Sequence, residues 1–326
     1  MAPKIQVHPE TQQEVKPLGQ KASSTTSNPL LPRSNSSQRG SKNTIGKSNL
    51  TSYQYIGKVD NIDLRCKDDP LCATDYVQDM YDLFRKKENL TAVLPVYMES
   101  TQPNINEKMR SILIDWLVEV HMKFKLVPET LFLTVHLIDR FLERQAIARS
   151  KLQLLGVSCL LIASKYEEIY PPQIHELVYI CDNAYSRADI IKMETQILKT
   201  LEYQITQPSA HTFLVRYLKA AHADKQMTQL ACYLLDGTLL SYNLLHYLPS
   251  QLAAASVFLA RHATGRNAWS PTLLKYADYK EEDVVPVARA ILEEKSAASP
   301  DLRAVNKKYS SSKYGNIANK PLSCDF

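Results

Sequence analysis

Residues 154–166 read LLGVSCLLIASKY, an apolar run with small residues on all sides of a predicted helix. Gly156, Ser158 and Ala163 carry little side-chain bulk, so neighbouring helices can approach this segment closely from several directions. A similar pattern, QLAAASVFLARHA, returns 97 positions later at residues 251–263. We therefore predict two successive helical bundles, each built around one closely surrounded central helix.

The sequence between about residues 70 and 300 has helical periodicity, little glycine and no strand-type alternation. Proline opens several of these segments, as is usual at the first helical position. The predicted helices occupy residues 75–88, 107–125, 128–144, 149–166, 172–181, 187–201, 209–222, 226–243, 248–263, 270–277 and 281–295. The fold class is therefore all-α, with five helices in each half behind a short leading helix.

The first 50 residues differ from the rest in composition and charge. They are rich in Ser, Thr, Asn, Gln, Pro and Lys, and they hold seven basic and two acidic side chains. Too few large apolar residues occur there to offset the entropy of ordering, so we predict disorder to about residue 70. The remaining 276 residues balance 32 basic against 32 acidic side chains, which argues against a nucleic-acid-binding surface on the folded part.

The six cysteines form no CxxC pair and show no metal-ligand spacing with histidine. Cys159 lies within an apolar run, where cysteine usually serves as a small core residue. The N-terminus has no signal-type apolar segment, and the longest apolar stretch, at residues 152–163, is too short to span a bilayer. We expect a soluble, intracellular, reduced protein with no metal and no cofactor.

Chemistry-bearing motifs are scarce, because the sequence has no phosphate-binding glycine loop, no HExxH and no GxSxG. Residues 163–172, ASKYEEIYPP, concentrate charge at the end of the central helix. Glu167 and Glu168 are adjacent and would point about 100° apart on a helix, so they cannot form a shared carboxylate pair. Acid–base catalysis is disfavoured, which leaves a solvated helix end or a surface that another protein contacts.

Residues 109–124, MRSILIDWLVEVHMKF, are apolar over most of a helical circumference. This pattern fits a fully buried core helix, and it also fits a helix with one apolar stripe exposed as a docking surface. Arg110, Asp115 and Glu119 interrupt the apolar faces. Complete burial would require partners for three charges, so the sequence favours partial exposure.

Taken together, residues 109–142, 151–172 and 178–205 resemble the cyclin box of a mitotic cyclin. HMKFKLVPETLFLTV, YICDNAY and AVNKKYSSSKY are most similar to B-type cyclins, and the resemblance covers about residues 72–315. It implies two tandem five-helix boxes that lack an active site and activate a cyclin-dependent Ser/Thr kinase as its heterodimer partner. The domains expected are a regulatory tail (1–70), an N-terminal box with its leading helix (71–205), a C-terminal box (206–300) and an extension (301–326).

The resemblance also implies two functional surfaces. The kinase-binding residues would be Lys165, Glu194, Tyr166, Tyr203, Ile205, Met80 and Leu83. Arg-x-Leu segments of substrates and inhibitors would dock on Met109, Ile112, Leu113, Trp116, Glu119, Leu152 and Gln153. We predict that Lys165 and Glu194 converge from two helices, and that Glu119 pairs with the arginine of a docked peptide.

Regulated destruction is expected of a mitotic cyclin, but residues 1–70 contain no Arg-x-x-Leu box. Lys87, Glu88 and Asn89 spell another degradation signal for ubiquitin-ligase machinery, although Asn89 could simply cap a helix. The family also implies a nuclear and cytoplasmic protein active at the G2/M transition, without membrane or nucleic-acid partners. The alternatives are a cyclin-fold transcription factor that binds DNA and a cyclin of a non-mitotic class.

Overall fold

The computed structural model describes residues 58–266 and 269–322, and these residues form α-helices and 3₁₀ turns without a β-strand. The predicted all-α class is confirmed. The first 57 residues of the predicted tail lie outside the described residues. The helices are α1 (Val77–Leu90), α2 (Tyr97–Thr101), α3 (Glu107–Phe124), α4 (Pro128–Arg144), α5 (Leu152–Glu167), α6 (Ile174–Ile180), α7 (Arg187–Thr200), α8 (Ala210–Ala220), α9 (Lys225–Thr238), α10 (Pro249–Ala263), α11 (Pro271–Ala277), α12 (Glu281–Ala297) and α13 (Ala304–Tyr309).

Helices α3–α7 form the first bundle and α8–α12 form the second. In the first bundle α5 packs against α3, α4 and α7, and in the second α10 packs against α8, α9 and α12. Gly156, Ser158 and Ala163 are all buried within α5. These two helices are therefore the central helices predicted from the small-residue repeat.

Local sequence signals explain most helix starts. Pro128, Pro249 and Pro271 occupy the first turns of α4, α10 and α11. The Asn106 side chain accepts a hydrogen bond from the Met109 backbone N–H at the start of α3, and Ser186 caps α7 in the same way. Side-chain capping and the fixed φ of proline thus mark these helix starts locally in the sequence.

Helix α9 ends five residues earlier than its apolar pattern predicts, at Thr238 instead of residue 243. The Leu239 carbonyl accepts a hydrogen bond from Arg110 at 3.1 Å, and the Leu240 carbonyl accepts one from the Ser111 hydroxyl at 2.8 Å. Both donors belong to α3. Contacts with the first bundle therefore satisfy these carbonyls in place of further helical hydrogen bonds.

The segment before α1 differs from its prediction. Residues 58–70 were expected to be disordered, but they pack on the second bundle. Ile62 is buried, Asp63 accepts a hydrogen bond from Arg216 at 2.7 Å, and the Asp60 N–H donates to the Thr272 hydroxyl. The Arg216 guanidinium lowers the pKa of Asp63. Residues 58–70 are therefore ordered by the buried Ile62 side chain and by paired charges, although their own composition does not favour order.

Helix α1 also packs on the second bundle. Tyr81 and Phe84 make edge-to-face contacts with Phe213 of α8. Near the end of α1, the buried Glu88 carboxylate accepts hydrogen bonds from the backbone N–H of Ser250, at 3.0 Å, and from its hydroxyl. Because Ser250 lies in the first turn of α10, this anion stabilises the positive end of that helix.

The two bundles share their cores. Val118, Leu131 and Phe132 of the first bundle belong to the apolar cluster of the second, and Tyr242 joins the cluster of the first. At the junction, Arg110 is fully buried and forms a double hydrogen bond with Asp139, at 2.6 and 2.7 Å. The expectation that its charge would keep α3 partly exposed is wrong for Arg110, because Asp139 and the Leu239 carbonyl satisfy it internally.

Candidate functional site

Lys165 and Glu194 meet on the surface of the first bundle. Lys165 is the last basic residue of α5 and Glu194 lies midway along α7, and their Nζ and Oε1 atoms are 2.6 Å apart. The lysine side chain is 48% exposed and the glutamate 14%. An ammonium has three N–H donors and a carboxylate has several acceptor positions, so both groups retain capacity to bind another backbone.

Three other predicted kinase-binding residues follow this pair in the sequence. Tyr166 comes directly after Lys165, and Tyr203 and Ile205 come after α7, the helix that carries Glu194. The Tyr166 hydroxyl hydrogen-bonds to Thr206 Oγ1 at 2.7 Å, and Tyr203 is 64% exposed in the connection after α7. Tyr203 has a left-handed backbone with φ of 59°, which points to a constrained turn. Ile205 is half-buried against the first core. Residues 201–206 therefore combine a fixed backbone with exposed aromatic surface.

Two further exposed apolar side chains follow Lys165 and were not selected from the sequence. Ile169 is 87% exposed and Tyr170 is 90% exposed. Both lie in the loop between α5 and α6, directly before Pro171 and Pro172. Large apolar residues in a proline-bounded loop cannot be part of a helix core, and that was the signal available in the sequence.

The two glutamates after Tyr166 have different roles. Glu168 accepts a hydrogen bond from the Val127 N–H at 2.8 Å and another from the Thr130 hydroxyl, so it caps the start of α4. Glu167 is exposed, although partial burial and the charges of Glu129 and Glu168 raise its pKa. Of the two, Glu168 serves local structure.

Met80 and Leu83 lie on the outer face of α1 and are 42% and 48% exposed, whereas Tyr81 and Phe84 face the second bundle. Among the described residues, the exposed large apolar side chains belong almost entirely to the leading segment and the first bundle. The second bundle contributes only Val215. Because exposed large apolar side chains favour contact with a protein partner, the leading segment and the first bundle are the candidate interface.

The predicted docking residues divide into a surface set and a buried set. Ile112 is 52% exposed, and Met109, Trp116 and Gln153 are half-buried. Leu113 and Leu152 lie in the first core, so they support the surface without presenting side chains to it. The stripe exposed on α3 is narrower than predicted.

Two of the three acidic residues of α3, Asp115 and Glu119, are engaged by the C-terminal extension. Asp115 accepts a hydrogen bond from the Ala304 N–H at 2.9 Å, and Glu119 pairs with Lys307 at 3.0 Å. Burial raises the pKa of Asp115. Both contacts involve residues nearly 190 positions away in the chain, so the sequence offered no signal for them.

The Lys87-Glu88-Asn89 triplet lies in the last turn of α1. Glu88 is buried, and burial raises the pKa of its carboxyl group. Asn89 donates to the Arg85 carbonyl within the helix, while the helix is capped by Thr91 and not by Asn89. An extended degradation signal could be presented here only if the end of α1 unfolded.

Other kinds of site have little support in the described residues. Residues 58–266 and 269–322 contain no group of three His, Cys, Asp or Glu side chains placed to hold a metal ion. None of the helices in this part of the chain is long and apolar enough to cross a membrane. Cys159 is buried in the first core, as predicted, and its thiol is free.

Comparison with protein families and with known proteins gives consistent results. Residues 79–206 match the family Cyclin, N-terminal domain, and residues 208–323 match Cyclin, C-terminal domain. The chain is 44% identical over 260 residues to Cyclin-B2-1 of Oryza sativa subsp. japonica, covering 79% of this chain and 62% of the relative. It is 46% identical to Cyclin-B2-2 of Arabidopsis thaliana, covering 77% and 58%. The chain thus spans about three fifths of the length of these relatives.

Among solved structures, the fold resembles that of a viral cyclin from herpesvirus saimiri, with a TM-score of 0.60 and 21% identity over 66% of this chain and 96% of that one. A chain of the yeast RNA polymerase II CTD kinase CTDK-1 complex matches with a TM-score of 0.54 and 12% identity, covering 71% and 82%. At such low identity these likenesses support the fold alone.

Proposed function

Because the chain belongs to the cyclin family, we propose that it is a regulatory subunit that binds and activates a cyclin-dependent Ser/Thr protein kinase. The protein would supply a binding surface and no catalytic group. The observation that carries this proposal is the Lys165–Glu194 pair, which joins α5 to α7 while leaving its ammonium half exposed beside large apolar side chains.

Activation would follow from selective binding. A protein kinase requires an ion pair between a strand lysine and a helix glutamate, and that pair forms only when the helix is turned inward. A partner that binds only this state shifts the population towards it. Shifting the ratio of active to inactive kinase conformation from 1:99 to 99:1 requires about 5.5 kcal/mol of differential binding. An interface above roughly 2,000 Å² is consistent with that requirement.

The exposed side chains support a surface of this kind. Apolar contact area is supplied by Met80 and Leu83 on α1, by Tyr166 at the end of α5, and by Ile169 and Tyr170 in the loop that follows α5. Lys165 and Glu194 supply the polar groups that would bond kinase backbone carbonyls and amides. Aromatic and other apolar anchors are typical of the centre of a specific interface, and charged groups add specificity to it.

The direct test is the Lys165→Ala variant in a pull-down and histone-phosphorylation assay with a mitotic cyclin-dependent kinase. We expect loss of kinase binding and activation without unfolding, since an exposed ion pair contributes only about 0–1 kcal/mol to stability. Lys192→Ala, which removes an exposed lysine from α7, is the matched control and should activate normally. Unchanged kinase binding by the Lys165 variant would refute the assignment.

We further propose that the protein acts at the G2/M transition. Support comes from the B-type names of its relatives and from a relative of Medicago sativa subsp. varia called G2/mitotic-specific cyclin-1, at 42% identity over 260 residues. Timed expression in synchronised cells tests this proposal. Protein accumulation and associated kinase activity should peak at mitotic entry, and a peak confined to S phase would contradict it.

Substrate selection is assigned to the α3 surface. The exposed Ile112 and the half-buried Met109 and Trp116 would bury the leucine of an Arg-x-Leu segment. Combined Met109→Ala and Trp116→Ala should weaken phosphorylation of substrates that carry the motif. A generic peptide lacking the motif should be phosphorylated at the wild-type rate, and equal losses on both would rule out docking here.

A further inference from the structure

Helix α13 of the C-terminal extension lies beside the proposed docking surface. Its first residue, Ala304, donates its backbone N–H to Asp115 on α3. One turn further along, Lys307 Nζ lies 3.0 Å from Glu119 Oε1. Glu119 is the carboxylate that the family resemblance predicts to pair with the arginine of a docked peptide. The extension therefore places its own cation on the group that an incoming cation would use.

This pair is accessible and is not what fixes α13 in place. Lys307 is 71% exposed and Glu119 is 47% exposed. The helix is anchored independently, because the buried Lys308 ammonium contacts Asp236 at 2.7 Å and the Tyr309 hydroxyl donates to the same carboxylate at 2.9 Å. Removal of the Lys307 charge should consequently leave α13 docked and α3 unchanged.

An arginine binds a carboxylate best through two parallel hydrogen bonds, which use both carboxylate oxygens. Lys307 already donates to one oxygen of Glu119 and brings a like charge close to any guanidinium that approaches. A docking arginine must therefore displace Lys307, or share the Glu119 carboxylate with it and meet the repulsion of its positive charge. A docking leucine would instead contact Met109, Ile112 and Trp116, whose side chains carry no charge.

We infer that Lys307 is a specificity-determining residue of this docking surface, an internal competitor that reduces the contribution of the peptide arginine. The inference rests on the proposed docking function. Ligands would be selected chiefly by the leucine and neighbouring apolar side chains, so segments with a neutral residue in place of arginine lose little affinity. The C-terminal extension thereby broadens the class of docking segments that the protein accepts.

The test measures peptide affinity by fluorescence anisotropy on the full chain bound to its kinase. Two peptides are compared, one with Arg-x-Leu and the same peptide with alanine in place of arginine. Lys307→Ala should raise the affinity for the arginine peptide about two- to five-fold, the range expected when an exposed ion pair no longer competes. The alanine peptide should bind equally to the wild type and the variant.

Two controls isolate the mechanism. Lys320→Ala makes the same change in net charge at an exposed position of the extension, and it should leave both affinities unchanged. In a Glu119→Gln background, Lys307→Ala should no longer affect the arginine peptide, because the contested carboxylate is absent. Tightening that persists in that background would overturn competition at Glu119.

The outcomes separate the inference from the function on which it rests. If Met109→Ala with Trp116→Ala abolishes binding while Lys307→Ala leaves the arginine peptide unchanged or weaker, the inference fails and the docking function stands. If neither peptide binds the wild type or the Lys307 variant, the docking function fails and the inference fails with it.

Discussion

At the scale of single residues, the two glycines within the described helices, Gly156 and Gly237, have opposite surroundings. A Cβ atom at Gly156 of α5 would lie 2.8 Å from Leu113 Cδ1 and 3.3 Å from both Cδ2 and Cγ of the same leucine. Because Leu113 is buried, rotation of one methyl group cannot relieve this contact. Gly237 of α9 has no atom within 4 Å of such a Cβ. Gly156 is thus required for close packing of α3 on α5.

This contrast predicts opposite effects of one substitution. Gly156→Ala should lower the free energy of unfolding by about 1–3 kcal/mol through overpacking. Gly237→Ala should raise it by about 0.5–1 kcal/mol, because alanine is the better helix former and meets no neighbour. Urea unfolding of the two variants measures both values, and effects of the same sign would contradict the packing argument.

Individual residues also show where prediction from sequence stops. The meeting of Lys165 with Glu194 could be expected, because family resemblance carries both positions together. The capping role of Glu168 and the pairing of Glu119 with Lys307 could not, since their partners lie 41 and 188 positions away. Family resemblance predicts Leu113 on the docking surface, because it carries over a position in the sequence and not the depth at which that side chain lies.

At the scale of elements, the long helices were predicted within a few residues, because caps, prolines and periodicity act locally. The departures have tertiary causes. Helix α9 ends early where its last carbonyls bond α3, and residues 58–70 are ordered by contacts with α8 and α11. Helices α2 and α13 have five and six residues, so they are too short to show a helical period in sequence.

The attachment of α1 depends on Glu88. Glu88→Ala would leave the buried Ser250 N–H without its acceptor, an effect of about 1–3 kcal/mol. We expect the free energy of unfolding to fall by that amount and α1 to be cleaved faster by trypsin. The exposed Asp79→Ala in the same helix is the control and should be cut at the wild-type rate. Equal cleavage of both variants would show that another contact holds α1.

At the scale of the whole molecule, the shared cores make the two bundles one structure. The small-residue repeat predicts two bundles but not their shared cores, because core residues of a bundle and of an interface between bundles have the same apolar pattern. In this structure one imidazole nitrogen of each of two histidines, Nε2 of His136 and Nδ1 of His121, is buried away from solvent. Burial, followed by the charge of Arg140, lowers the pKa of His136 to about 3, and burial also lowers the pKa of His121.

The lowered pKa of His136 predicts acid sensitivity. The unfolded chain binds a proton at this histidine below about pH 6.5, whereas the folded chain does so only near pH 3. The stability that neutral His136 contributes is therefore complete above pH 6.5 and is lost as pH falls towards 3, at up to about 1.4 kcal/mol per pH unit. The wild type should lose free energy of unfolding between pH 7.5 and pH 4.5. In His136→Asn this loss, measured by urea unfolding, should be smaller by about 2–3 kcal/mol.

An exposed histidine provides the comparison for this pH experiment. His175 lies on the surface of α6, and His175→Asn should follow the wild-type pH profile. If His136→Asn shows the same pH dependence as the His175 variant, protonation of His136 does not contribute to acid unfolding.

The attachment of the leading segment to the second bundle sets the order in which the protein matures on the ribosome. Glu88 can form its hydrogen bond only after Ser250, 162 positions later, has been synthesised. Asp60 likewise requires Thr272, 212 positions later. At a translation rate of about 5–20 residues per second, this delay is roughly 10–40 s. During that interval α1 remains undocked, so Met80 and Leu83 reach their final positions only when the second bundle has been synthesised.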